Sequence, residues 1–156
     1  MARMFHKNEP IGLPLQKFYL EQVYGDLIES CTIKKRTLTC YINLKPSDES
    51  IVYQIKIQYR LKDYFPQVWL LSPSLEMWND EYPHHLLESD REGHPQLCVF
   101  DPDQNEWNWH MNIATSFVTW IVSWLNAYEY WLITGEWHYA ERILRRTEKN
   151  NHDRYR

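Results

Sequence analysis

Residues Ile51 to Tyr59 (IVYQIKIQY) set Ile51, Tyr53, Ile55, Ile57 and Tyr59 against Val52, Gln54, Lys56 and Gln58. A period of two marks a strand with one buried face. Thr37 to Leu44 (TLTCYINL) repeats the pattern around Leu38, Cys40, Ile42 and Leu44. Between the two runs, Pro46-Ser47-Asp48-Glu49-Ser50 has the composition of a hairpin connection. Gln67 to Leu71 (QVWLL) predicts a third short strand, closed by Ser72-Pro73. Ahead of these strands, Pro14 followed by LQKFYLEQVYGDLIES predicts a helix, because proline is well tolerated in a first helical turn. Leu15, Phe18, Tyr19, Gln22, Val23 and Asp26 fall at helical spacing along it. The expectation is an α+β chain: a helix, then three antiparallel strands.

The second half reads differently. Residues 73 to 106 lose all periodicity and hold four prolines, Gly93 and three histidines. Long irregular segments are uncommon in compact domains and are usually functional or disordered. Within this one, Leu97-Cys98-Val99-Phe100 is an apolar island, which predicts an ordered, partly buried loop. Ile113 to Thr134 (IATSFVTWIVSWLNAYEYWLIT) then predicts a long helical region, in one piece or two, capped by Gly135. Its apolar length raises the question of a membrane span. Asn126 and Glu129 argue for a buried helix instead, since an acidic residue near the centre of a spanning helix costs about 3 kcal/mol on insertion scales. The 8 Trp, 11 Tyr and 5 Phe supply a core of large flat side chains, or an exposed aromatic contact surface. No repeat or linker divides the 156 residues, so 1–156 is expected to be one domain. Residues 141–156, with six basic and three acidic side chains, read as a solvated tail or a contact arm.

A net charge of -4 gives no general attraction for nucleic acid or anionic membrane. Residues 1–7 carry no apolar run of signal-peptide length, and the three cysteines make no even framework, so a reducing cytoplasm is expected. There a cysteine is either packing or chemistry. Cys40 lies in an alternating strand and reads as a small core hydrophobe. Cys31, at the end of the first helix, reads the same way. Cys98 stands apart, in the irregular loop with histidines nearby, and is the candidate nucleophile, with packing as the alternative. His84, His85, His94 and Cys98 are also conceivable zinc ligands, but there is no Cys-x-x-Cys pair, and adjacent His84 and His85 would point apart on an extended chain. A Cys–His–acid arrangement with Asp90, Asp101 or Asp103 would suit acyl transfer. No phosphate-cradling glycine loop is present. No metal or organic cofactor is expected.

The region from Gln67 to Trp137 resembles the ubiquitin-conjugating-like proteins of bacterial CBASS antiphage operons. The residues that carry the likeness are Val68 to Leu75, Pro83-His84-His85-Leu86, Gln96-Leu97-Cys98-Val99-Phe100-Asp101-Pro102, Asn105-Glu106-Trp107, Ser123-Trp124-Leu125, Tyr128-Glu129-Tyr130-Trp131-Leu132 and Thr134-Gly135-Glu136-Trp137. The resemblance implies a ubiquitin-conjugating-enzyme-like fold: an N-terminal helix, an antiparallel meander, a catalytic loop and C-terminal helices. It implies that Cys98 forms a thioester and passes the acyl group to an amine. It assigns His85 a part in structuring the loop or assisting catalysis. Eukaryotic relatives place His-Pro-Asn about ten residues before the cysteine; here His94-Pro95-Gln96 lies too close to Cys98 to copy it, and the oxyanion donor is unassigned. The implied acyl donor is the C-terminus of a cGAS-like nucleotidyltransferase or of a ubiquitin-like protein. A separate activating enzyme is a possible further partner. Two other readings share these residues, an inactive binding module of the same fold and a cysteine hydrolase.

Overall fold

The structure, a computed structural model, describes residues 9–101, 104 and 106–138. Helix α1 (Leu13–Tyr24) and a single 3-10 turn (Gly25–Leu27) lead into strands β1 (Ile28–Lys34), β2 (Thr37–Leu44), β3 (Tyr53–Tyr59) and β4 (Gln67–Ser72). Two short strands follow in the irregular region, β5 (Leu86–Leu87) and β6 (Gln96–Leu97). A π turn (Ile113–Phe117) then runs into α2 (Val118–Thr134). The sheet is antiparallel throughout, in the order β1-β2-β3-β4-β6-β5.

The two alternating runs fold as their period requires. Leu38, Cys40, Ile42 and Leu44 on β2, and Tyr53, Ile55, Ile57 and Tyr59 on β3, are buried, while the residues between them are half-buried on the other face. Burying a side chain of this size removes about 1.5–3 kcal/mol of unfavourable water contact. Ile51 and Val52, expected in the second strand, are instead part of the connection, each 56% exposed.

The first helix is shorter than expected. It stops at Tyr24, and Gly25 supplies a left-handed turn at φ 47°. Residues 28–34, the first three of which were expected to continue the helix, form edge strand β1, so Cys31 sits in the sheet. The reason is visible in the pattern: β1 buries only Cys31, so neither a period of two nor one of 3.6 shows in its sequence. The buried face of α1 also differs from the expected stripe. Phe18 and Val23 are exposed, and Leu13, Gln16 and Leu20 point inward. Gln16 is wholly buried because both ends of its amide are satisfied: Nε2 donates to the Met111 carbonyl (2.9 Å) and Oε1 accepts from the Ile113 N–H (2.9 Å). That clamp ties α1 to the start of the π turn.

Helix α2 buries Val118, Trp120, Ile121, Trp124, Leu125, Ala127, Tyr128 and Trp131. Among the described residues no helix is long and apolar enough to cross a membrane. Glu129 is tied to the sheet connection, accepting from Ser50 Oγ (2.7 Å) and Tyr53 Oη (3.0 Å). Gly135 ends the helix in the left-handed conformation, its N–H donating to the Trp131 carbonyl. Most tryptophans of the second half are core: Trp107, Trp120, Trp124 and Trp131 are buried, and only Trp109 is more than half exposed. The 141–156 tail lies outside the described residues.

Candidate active site

Cys98 is the residue immediately after β6. Leu86 of β5 pairs with Leu97 of β6, so His85 and Cys98 face each other at the end of a two-residue ladder. The Cys98 N–H donates to the His85 carbonyl at 2.9 Å, and the indole Nε1 of Trp124, on α2, donates to the same oxygen at 3.1 Å. That carbonyl therefore uses both lone pairs, one on the cysteine backbone and one on the core helix. On the other side, β6 is held to β4 through the Trp69–Gln96 pair and the Leu70 N–H to Pro95 carbonyl bond (3.0 Å). Leu97, Val99 and Phe100 are buried around Cys98, which is itself half-buried. Its thiol donates to the Phe100 carbonyl (3.3 Å). The apolar island predicts an ordered, partly buried loop, and the loop is so because Leu97, Val99 and Phe100 are anchored in the core.

His85 adopts φ 58°, a left-handed conformation uncommon outside glycine but one that histidine visits more readily than most residues. Because the chain is not extended there, His84 and His85 do not point apart as expected. Their rings lie 6.3 Å from each other, and both approach Trp137, at 6.0 and 5.6 Å between centroids. Trp137 in turn meets Trp124 edge-on at 5.2 Å. Burial, and then the neighbouring His84, pushes the His85 imidazole below its ordinary range, so the neutral form prevails at pH 7. The ring packs on His84 and Trp137, and His85 is linked to Cys98 through its backbone carbonyl.

His94 and Asp90 belong to a different unit. The Asp90 carboxylate accepts from the Glu92 N–H (2.9 Å), the His94 N–H (2.8 Å) and lies 2.9 Å from His94 Nδ1. Lys56 lies 3.9 Å from it and stacks over Trp69. Desolvation raises the Asp90 carboxyl, but the hydrogen bonds from His94 and Glu92 outweigh it and hold the group below its usual range. These contacts close the turn between β5 and β6, and they direct His94 to Asp90. Asp101 is placed by its own N–H, which donates to Glu106 (3.1 Å), and Asp103 lies outside the described residues. Among the described residues no group of three histidine, cysteine or acidic side chains is gathered closely enough to hold a metal ion.

Comparison with known families decides what kind of protein carries this arrangement. Residues 16–144 match the family described as "Type II CBASS E2 protein". The chain belongs to that family. The match takes in α1 from Gln16 onward, the whole sheet, the Cys98 loop and α2, and the α+β architecture with its antiparallel sheet is compatible with an E2-like fold. No curated protein matches this CBASS E2. The family description gives it an E2-type role beside other CBASS components.

Two residues that hold the site were not assigned a part by sequence reasoning. The sequence places Trp124 in a core helix and offers the tryptophans up to Trp137 as a contact surface if exposed, whereas the structure has Trp124 donating to the His85 carbonyl and Trp137 packing on both histidines. The available signal was the Trp124, Tyr128, Trp131 spacing, which puts three rings on one helix face.

Proposed function

We propose that this CBASS E2 is a cysteine-dependent acyl-transfer enzyme of bacterial antiphage defence, with Cys98 as the nucleophile and the C-terminus of a cGAS-like nucleotidyltransferase, or of a ubiquitin-like protein, as the acyl donor. The observation that carries this reading is the placement of Cys98: a half-buried thiol whose backbone is pinned by the His85 carbonyl between a sheet and a tryptophan helix. An accessible cysteine on a fixed backbone is what thioester exchange requires.

The chemistry has two steps. The Cys98 thiol, hydrogen-bonded to the Phe100 carbonyl, loses its proton to solvent, and the thiolate attacks the carbonyl carbon of a donor C-terminus already activated as a thioester on a separate activating enzyme. The new C–S bond forms as the old one breaks, and the activating enzyme leaves as its thiolate. A lysine amine of the target then attacks the Cys98 thioester, the Cys98 thiolate leaves, and the amine loses a proton as the isopeptide forms. His85 is assigned to that proton because its backbone faces Cys98 at the end of the β5–β6 ladder and its imidazole is neutral.

Intact mass of the chain co-expressed with its operon neighbours tests this directly, with wild type beside Cys98→Ser. The expected result is a mass increment equal to a neighbouring protein, removed by reductant in wild type and resistant to it in the serine variant, which holds the acyl group as an ester. Absence of any adduct in the presence of an activating enzyme points to a binding module. Hydrolysis of the donor with no transfer to an amine points to a hydrolase.

A further inference from the structure

Cys31 on β1 and Cys40 on β2 are direct partners in the antiparallel register. The two strands are joined by a two-residue turn, Lys35–Arg36, with φ 50° and 61°, closed by the Lys34–Thr37 pair. Pairs alternate outward from such a turn between hydrogen-bonded and non-hydrogen-bonded. Lys34–Thr37 and Thr32–Thr39 are hydrogen-bonded, and Cys31–Cys40 is not. Partners of the latter kind have Cα atoms about 4.5 Å apart with side chains drawn together, inside the range of roughly 4.4–6.8 Å that a disulfide spans. The register irregularity of β1 falls between Ile28 and Ser30 and stops short of this pair.

The register therefore turns both side chains to the same face of the sheet, directly opposite each other. They differ in access. Cys40 is fully buried, while Cys31 reaches the surface at 9% exposure and opens on a hollow of about 340 Å³ lined by Lys17, Glu21, Gly25, Ile28, Glu29 and Ser30. Cys98 follows β6, four strand positions from β1 in the sheet. At about 4.8 Å per strand that is roughly 19 Å, far beyond disulfide reach.

We propose that Cys31 and Cys40 are a peroxide-oxidisable pair, a modification site separate from Cys98, in which Cys31 meets the oxidant and Cys40 resolves it as a cross-strand disulfide. The facing Cys40 thiol holds the Cys31 thiol below its ordinary range against burial and Glu21, with Lys17 adding to it, whereas the facing Cys31 and burial push the Cys40 thiol up. The Cys31 thiolate attacks one oxygen of a hydroperoxide; the S–O bond forms, the O–O bond breaks, and the alcohol or water leaves with a proton. The Cys40 sulfur then attacks the sulfenic sulfur; the S–S bond forms, the S–O bond breaks, and hydroxide departs as water with the Cys40 proton. Two thiols lose two electrons in total, and the peroxide is reduced by two.

The test uses the full chain carrying Cys98→Ala, so that Cys31 and Cys40 are the thiols under study, treated natively with hydrogen peroxide, quenched, and alkylated after denaturation. The expected result is loss of two hydrogen masses and protection of both thiols, reversed by dithiothreitol. Trypsin cuts after Lys34, Lys35 and Arg36, so the bridge appears as two linked peptides. In the Cys40→Ser background Cys31 should stop at the sulfenic acid and be captured by dimedone. In the Cys31→Ser background Cys40 should stay reduced, with thermal melts confirming that both variants are folded. Full alkylation of both thiols after peroxide overturns the proposal, as does equal oxidation of Cys40 when Cys31 is serine. Neither result bears on whether Cys98 forms a thioester.

Discussion

Trp124→Phe probes the connection between the core helix and the Cys98 loop. Trp124 is 1% exposed, stacks on Tyr128 at 5.6 Å and meets Trp137 at 5.2 Å, and its indole N–H donates to the His85 carbonyl. Phenylalanine keeps one ring and loses the donor. The carbonyl keeps its bond from the Cys98 N–H, so it is not left bare, and the lost hydrogen bond is worth about 1 kcal/mol. Phenylalanine is also smaller by on the order of 40 Å³, which at ~24 cal/mol per Å³ of unfilled cavity adds about 1 kcal/mol. The sum, about 2 kcal/mol, should lower Tm by about 4–8 °C in a chain of this size. Thermal unfolding of both proteins reads the stability. Adduct formation, timed at a temperature where both are fully folded, reads the function. The reasoning requires both to fall, because the bond that is removed holds the segment facing Cys98. A Tm within 1 °C of wild type would refute the packing argument. A full loss of stability with an unchanged rate would show that Trp124 supports the core and has no hold on the loop.

Other perturbations address separate parts of the molecule. Gly135→Ala should destabilise by about 1–2 kcal/mol from the left-handed backbone alone, and by more because the new Cβ would lie 2.5 Å from the Trp78 ring; a melt unchanged from wild type would contradict the geometry of that cap. Tyr53→Phe should cost about 1 kcal/mol in urea unfolding, because Glu129 retains its bond from Ser50; a neutral result would mean that the Tyr53 bond adds nothing beyond its exchange with water. The depressed His85 pKa has a definite sign. As pH falls below the ordinary histidine value of about 6.5, the unfolded chain takes up a proton at His85 before the folded one does, so stability declines until the folded pKa is passed. His85→Asn tolerates the left-handed backbone and should remove that component from the stability–pH curve; identical curves for the two proteins would show that His85 does not titrate differently on folding.

What could be read from the sequence, and what could not, divides along a physical line. Side-chain patterns report which face of an element meets the core, so β2 and β3 were legible from Leu38 to Leu44 and from Tyr53 to Tyr59, and the apolar run of α2 with Gly135 at its end was legible too. β1 was not, because an edge strand burying only Cys31 has no pattern to report. The inner face of α1 was misread because a glutamine, satisfied at both ends of its amide, occupies a core position that hydrophobicity assigns to a leucine. At the site, Cys98 stood out by its place in the irregular loop with histidines nearby, and His85 by the family resemblance. Their connection did not stand out, because it is made by a backbone carbonyl, which every residue has, receiving an N–H thirteen positions on and an indole thirty-nine positions on. The Cys31–Cys40 pair was hidden for a related reason: two cysteines nine residues apart mean little until the strand carrying the first is known and the two-residue turn sets the register. Composition and periodicity therefore predict burial, whereas the features that position Cys98 and join Cys31 to Cys40 are matters of register and backbone hydrogen bonding. Those depend on turn geometry at a few residues, Lys35, Arg36 and His85 among them, whose left-handed conformations carry no hydrophobic signature at all.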